Sequence, residues 1–167
     1  MTQGTRSYLF GCHSFVHALL VCVAWRKLYR QWPSLAEFVC IVIHDLGHVG
    51  KNYLDDYEEK RQHWRAGAVL ARRLFGETGW QLVAGHSDHS GEPRSRLYAA
   101  DKYSWVFAPT WWLYINNIVE PELRRGFSSN LEEVRQFRQA VRQNADSGQF
   151  VETHQIYLRF SARCHDC

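Results

Sequence analysis

No stretch of this 167-residue chain is long and apolar enough to span a bilayer. The longest apolar run, Phe15 to Trp25, is short and is interrupted by His17. No signal peptide precedes it, which makes a cytoplasmic location the expectation. There are no internal repeats and no linker rich in Gly, Ser or Pro, so one domain is expected over residues 1–167. An excess of one charge is missing as well. Twenty basic residues are scattered among 17 acidic ones, giving a formal charge of +3, and such a balance does not demand a nucleic-acid groove. A small substrate carrying phosphate suits the mild basic excess equally well. Nor is there a disulfide framework: the five cysteines are an odd number, and Cys12, Cys22 and Cys40 lie in apolar segments, the pattern of reduced thiols.

What the chain does have is 46% hydrophobic residues, enough for one compact core, with helical periodicity nearly throughout. An apolar helix from about Gly11 to Gln31 is stopped by Pro33. Ser34 then caps a second helix, "LAEFVCIVIHD", expected to be central and buried on most sides. From about Glu58 to Phe75, Ala66, Val69, Leu70 and Leu74 form the apolar face of a third helix that ends at Gly76, and a shorter helix follows from about Thr78 to Gly85. In "SRLYAADKYSWVF", Leu97, Ala100, Tyr103 and Ser104 share a face, and Pro109 closes the segment. The segments "TWWLYINNIV", "NLEEVRQFRQAVRQNA" and "QFVETHQIYLRFSA" complete an all-α bundle.

Nine histidines are the informative residues, several of them at helix ends beside carboxylates, where divalent metals find ligands. The segment "IVIHDLGHVGK" holds the clearest pair. Neighbouring residues on a helix diverge by about 100°. His44 and Asp45 can therefore grip one ion only if the helix ends there, and Gly47 gives the backbone freedom to end it. A carboxylate with two oxygens can also bridge two cations, so Asp45 makes further histidines worth seeking.

Read in order, His13 or His17, then His44 with Asp45, His63, His86 and Asp101 resemble the HD-domain superfamily of metal-dependent phosphohydrolases. The wording is similar too. "IVIHDLGHVGK" resembles the family's apolar run followed by His-Asp, glycine and lysine. "HWRAGAVLARRLFG" and "VAGHSDHSGEPRSRLYAADKYS" resemble segments of binuclear members, such as bacterial diadenosine tetraphosphate hydrolases and HD-GYP-type phosphodiesterases. The likeness covers about residues 12–104, leaving residues of about 109–162 as a helical extension. A second His-Asp pair, His165 and Asp166 in the terminal "CHDC", has no buried helix before it and reads as a frayed tail.

The resemblance implies a single all-helical HD domain with one or two divalent ions, Mn, Fe, Ni or Zn, among which spacing does not choose. His13, His44, Asp45 and Asp101 would hold the first ion, and Asp45, His63 and His86 the second. His17 lies one turn from His13 on the same face and is the alternative first ligand. The implied catalytic positions are His44, Asp45 and Lys51. Lys51 and Lys102, with Arg94 and Arg96 behind them, are the candidates for substrate phosphates. The expected reaction is hydrolysis of a phosphoester or phosphoanhydride in a nucleotide-like substrate, cyclic or linear dinucleotides included. The alternatives are an HD-type diiron oxygenase and a non-catalytic nucleotide sensor.

His48 is taken as a loop residue, His89 as exposed and only a reserve for His86, and Asp88 as a turn residue rather than a proton donor. The aromatic run Trp105, Phe107, Trp111, Trp112 and Tyr114 is read as core or subunit interface rather than a base-stacking platform, which leaves a homo-oligomer open. Arg135, Arg138 and Arg142 read as a solvated helix face.

Overall fold

The computed structural model describes residues 15–49, 61–113 and 131–150, and every structural statement below concerns those residues. His13 and Lys51, Tyr114, the C-terminal "QFVETHQIYLRFSA" segment beyond Phe150 and the "CHDC" tail lie outside them. The protein is all-α. Its helices are α1 (Phe15–Tyr29), α2 (Leu35–Ile43), α3 (Trp64–Ala84), α4 (Arg96–Ser104) and α5 (Leu131–Asp146), with a 3-10 turn at Leu46–His48. None is long and apolar enough to cross a membrane.

The helix boundaries follow local chemistry. α1 ends where Arg30 turns into the left-handed region at φ 60°, just before Pro33. Ser34 caps α2 in a reciprocal box: its Oγ accepts from the Glu37 amide while the Glu37 carboxylate accepts from the Ser34 amide at 2.7 Å. Inside α3, Gly76 adopts φ 67°, ψ −152°, so the helical path breaks at the glycine that the sequence marks as a stop. Residues 110–113 are helical again after Pro109.

α1 lies between α2 and α4, and α3 packs across α2 and the 3-10 turn. The first core, on α1, joins Val21, Cys22, Trp25, Ile41, Leu97 and Ala100. A second joins Cys40 and Ile43 of α2 to Ala68, Ala71 and Val83 of α3. A third brings Trp105, Val106, Trp112 and Leu113 against Phe137 and Val141 of α5. Trp105 and Trp112 are thus core, as read, while Trp111 is exposed. Arg96 clamps three helices together: its guanidinium pairs with Glu37 at 3.3 Å and lies over the rings of Trp25 and Tyr29.

Two expectations need correction. α2 is buried only in its second half, from Cys40 to Ile43, and Leu35 is fully displayed. The buried face of α3 is not Ala66, Val69, Leu70 and Leu74. Gly67, Ala68 and Ala71 face inward, Leu70 is half-buried, and Ala66, Val69 and Leu74 are exposed. The reason is proximity. A Cβ on Gly67 would collide with the Ile43 carbonyl and crowd that of His44, so α3 crosses the end of α2 at a separation that admits only small side chains.

Two substitutions test these contacts by chemical denaturation. Gly67→Ala is expected to destabilise the protein by about 1–3 kcal/mol through overpacking. Ser34→Ala, which removes the cap, is expected to cost about 1 kcal/mol.

Candidate metal centre

The close approach of α3 to the end of α2 has a chemical consequence. α2 stops at Ile43, His44 is its C-cap, and Asp45 takes φ −98°, ψ 15° before the 3-10 turn begins. That bend lets adjacent residues, which would diverge on a continuing helix, turn toward one place. Gly47 completes the arrangement, because a Cβ there would overlap the backbone carbonyl of His63.

Asp45 lies at the centre, and its two oxygens face different sets of imidazoles. Oδ2 is 3.2 Å from Nε2 of His44 and 3.5 Å from Nε2 of His17. Oδ1 is 3.5 Å from Nε2 of His86, 3.7 Å from that of His48 and 4.0 Å from that of His63. Asp101 closes the first set, with Oδ1 2.9 Å from His17 and 3.7 Å from His44. One ligand atom each from His17, His44, Asp45 and Asp101 lie within 4.8 Å of one another, and the same holds for Asp45, His48 and His63. His86 meets His63 nitrogen to nitrogen at 3.0 Å.

Two of these imidazoles are aimed by the same local device. Nδ1 of His44 donates to the Ile41 carbonyl at 2.6 Å, and Nδ1 of His86 donates to the Val83 carbonyl, which also accepts from backbone amides at the end of α3; both carbonyls lie three residues back. With Nδ1 carrying the proton, Nε2 turns its lone pair inward, the orientation that a metal-bound histidine requires. Nε2 of His44 is fully buried and makes no well-formed hydrogen bond, with Oδ2 of Asp45 its near neighbour at 3.2 Å; a cation between the two would satisfy both. The donors, imidazole nitrogens and carboxylate oxygens, are those of divalent transition metals. The residues therefore fit a metal.

The electrostatics agree. Burial alone disfavours a charged His44, but the carboxylates of Asp45 and Asp101 outweigh it and push its pKa up to about 10; without a cation, a proton balances the carboxylates. His17, by contrast, is pulled below its ordinary value by burial, against the opposing pull of Asp101, which favours the neutral imidazole that binds metal. Burial would raise the Asp101 carboxyl, yet Lys102 above all, then His17 and His44, hold it well below the carboxylate range. Lys102 is itself buried, with Nζ 2.7 Å from Oδ2 of Asp101. The Ser104 hydroxyl donates to the Asp101 backbone carbonyl at 2.6 Å and lies 3.5 Å from Nδ1 of His17, and the His17 ring packs on Trp105.

The structure brings His44, Asp45, His63, His86 and Asp101 together. It adds two residues that the sequence ranked lower. His17 occupies the first set, where the sequence favoured His13. His48, read as a loop residue, is buried beside His63 with ring centroids 4.4 Å apart. The only advance signal for it was its position four residues after His44. Other candidates sit elsewhere in the contact pattern. Lys102 pairs with Asp101, so its first role is to neutralise that carboxylate. Arg94 makes a two-pronged pair with Asp88, at 2.7 and 3.0 Å, and lies over Tyr98, whose hydroxyl also donates to Asp88. Asp88 opposes its partial burial through those bonds and is held below the ordinary carboxylate value, an anion rather than a proton donor. Arg96 serves the clamp on α1 and α2. His89 is exposed, as read.

Elemental analysis of the purified protein tests the geometry. His17→Ala and His63→Ala are each expected to lower bound metal by about one equivalent per chain, and Asp45→Ala to remove nearly all of it. His13→Ala, measured beside them, decides which N-terminal histidine is the ligand.

No family model matches the chain, and no curated protein or solved structure gives a significant match. The functional reading rests on the residues themselves.

Proposed function

We propose that this protein is a metal-dependent phosphohydrolase of the HD type, cleaving a phosphoester or phosphoanhydride bond in a nucleotide-like substrate. The observation that carries the reading is Asp45, a buried carboxylate that turns one oxygen to His17 and His44 and the other to His48, His63 and His86. Bound divalent ions in such a pair lower the pKa of water and polarise a phosphoryl oxygen, so hydrolysis needs no nucleophilic side chain.

The chain's own residues have defined parts. Asp45 would be shared between two ions, His17, His44 and Asp101 would complete one position, and His63 and His86 would serve the other. The Ile41 and Val83 carbonyls fix the tautomers of His44 and His86 and keep both rings from turning. Lys102 holds the second oxygen of Asp101, leaving Oδ1 directed at the histidines. Lys51, from its place in "IVIHDLGHVGK", is proposed to meet a substrate phosphate. The buried thiols of Cys22 and Cys40 suit a cytoplasmic setting.

Five imidazoles around two carboxylates also suit iron, which keeps a diiron oxygenase as the second reading. Phosphate release from a panel of mononucleotides and dinucleotides with Mn2+ separates the two. The hydrolase reading expects release that falls to background in Asp45→Ala. No release from any member of the panel, together with a visible-region absorption that changes when substrate and oxygen are added, would replace it with the oxygenase.

A further inference from the structure

Resting on the reading of a metal centre, we infer that its two positions are chemically unequal, because His48 joins His63, His86 and Oδ1 of Asp45 to make a nitrogen-rich position beside an oxygen-rich one. The donor counts differ. The first position draws two nitrogens, from His17 and His44, and two oxygens, from Asp45 and Asp101. The second gathers three nitrogens about one oxygen: Nε2 of His86, His48 and His63 lie 3.5, 3.7 and 4.0 Å from Oδ1 of Asp45, with His48, His63 and Asp45 within 4.8 Å of one another and His86 adjoining through His63 at 3.0 Å.

His48 reaches this place through the fold rather than through helix periodicity. It ends the 3-10 turn, is nearly fully buried, and lies against His63 because Gly47 lets that turn meet the start of α3 backbone to backbone. A histidine kept from water next to a carboxylate oxygen and a second imidazole is placed as a donor. Imidazole selects zinc, iron and nickel, whereas carboxylate oxygens suit manganese and magnesium. The second position therefore takes zinc well ahead of manganese, and the first discriminates less.

The experiment uses full-length protein stripped of metal and titrated separately with Zn2+ and with Mn2+. Stoichiometry and affinity are read by calorimetry, and folding by circular dichroism. His48→Phe keeps a ring over His63 but removes the nitrogen, so a mere stacking partner would survive the change. Its zinc affinity at one position is expected to fall by about 100-fold or more, beyond the effect of losing a partner outside the coordination sphere. His17→Ala should instead spare that zinc and weaken the other position. His48→Gln, of similar reach and polar, gives the same reading if the phenylalanine variant does not fold. Parental zinc affinity at both positions in a folded His48 variant, or an equal preference for zinc over manganese at both positions of the parent, overturns the inference. Phosphate release by the parent is scored independently. Parental zinc binding in His48→Phe with release intact discards this donor set and leaves the hydrolase standing, while lost zinc without release from the parent does the reverse.

Discussion

A carboxylate buried among imidazoles is the constraint on which the rest of this structure depends. Asp45 is almost wholly removed from water, and an ionised carboxylate in that setting is costly unless charge of the opposite sign meets it. Five imidazoles approach it, two against one oxygen and three against the other, with His44 the one that the carboxylates hold protonated, while Lys102 brings its charge to the neighbouring Asp101. Protons can balance these carboxylates, as the raised pKa of His44 indicates. A metal ion would take over the same electrostatic duty, since the same buried nitrogen and the same carboxylate oxygens could hold it.

Bringing so many polar groups to one point requires backbones to approach closely, and small residues provide for it. Gly67, Ala68 and Ala71 let α3 lie across the end of α2, and Gly47 lets the 3-10 turn touch the start of α3. The four histidines His44, His48, His63 and His86 come from these two junctions and from the far end of α3. The other half of the site comes from α1 and α4, which pack against each other along Val21, Trp25, Leu97 and Ala100. Arg96, resting on Trp25 and Tyr29 and paired with Glu37, ties α4 to α1 and α2 at the end where α4 begins. Trp105 then links the His17 ring to the third core.

Much of this was legible from local chemistry. The Ser34 cap, the break at Gly76, the buried stripe of α4 and the end of α2 at His44 each depend on residues within a turn or two of one another. The face of α3 is hidden from periodicity, which favours large apolar residues such as Val69 and Leu74, whereas a close crossing selects glycine and alanine. His13 and His17 were indistinguishable because residues one turn apart share a helix face. His48 was passed over because a polar residue after a helix usually meets solvent.

By itself the sequence determined that the chain is helical and singled out His44, Asp45, His63, His86 and Asp101 as candidate metal ligands. Helix ends and candidate ligands are matters of residue type and short spacing, and both are written in the chain. Only the tertiary structure decided that His17 and His48 stand among them, and how the histidines divide between the two oxygens of Asp45. That division depends on how near two backbones come, which is set by what a Cβ would strike across the interface, here at Gly47 and Gly67, and no periodicity records it.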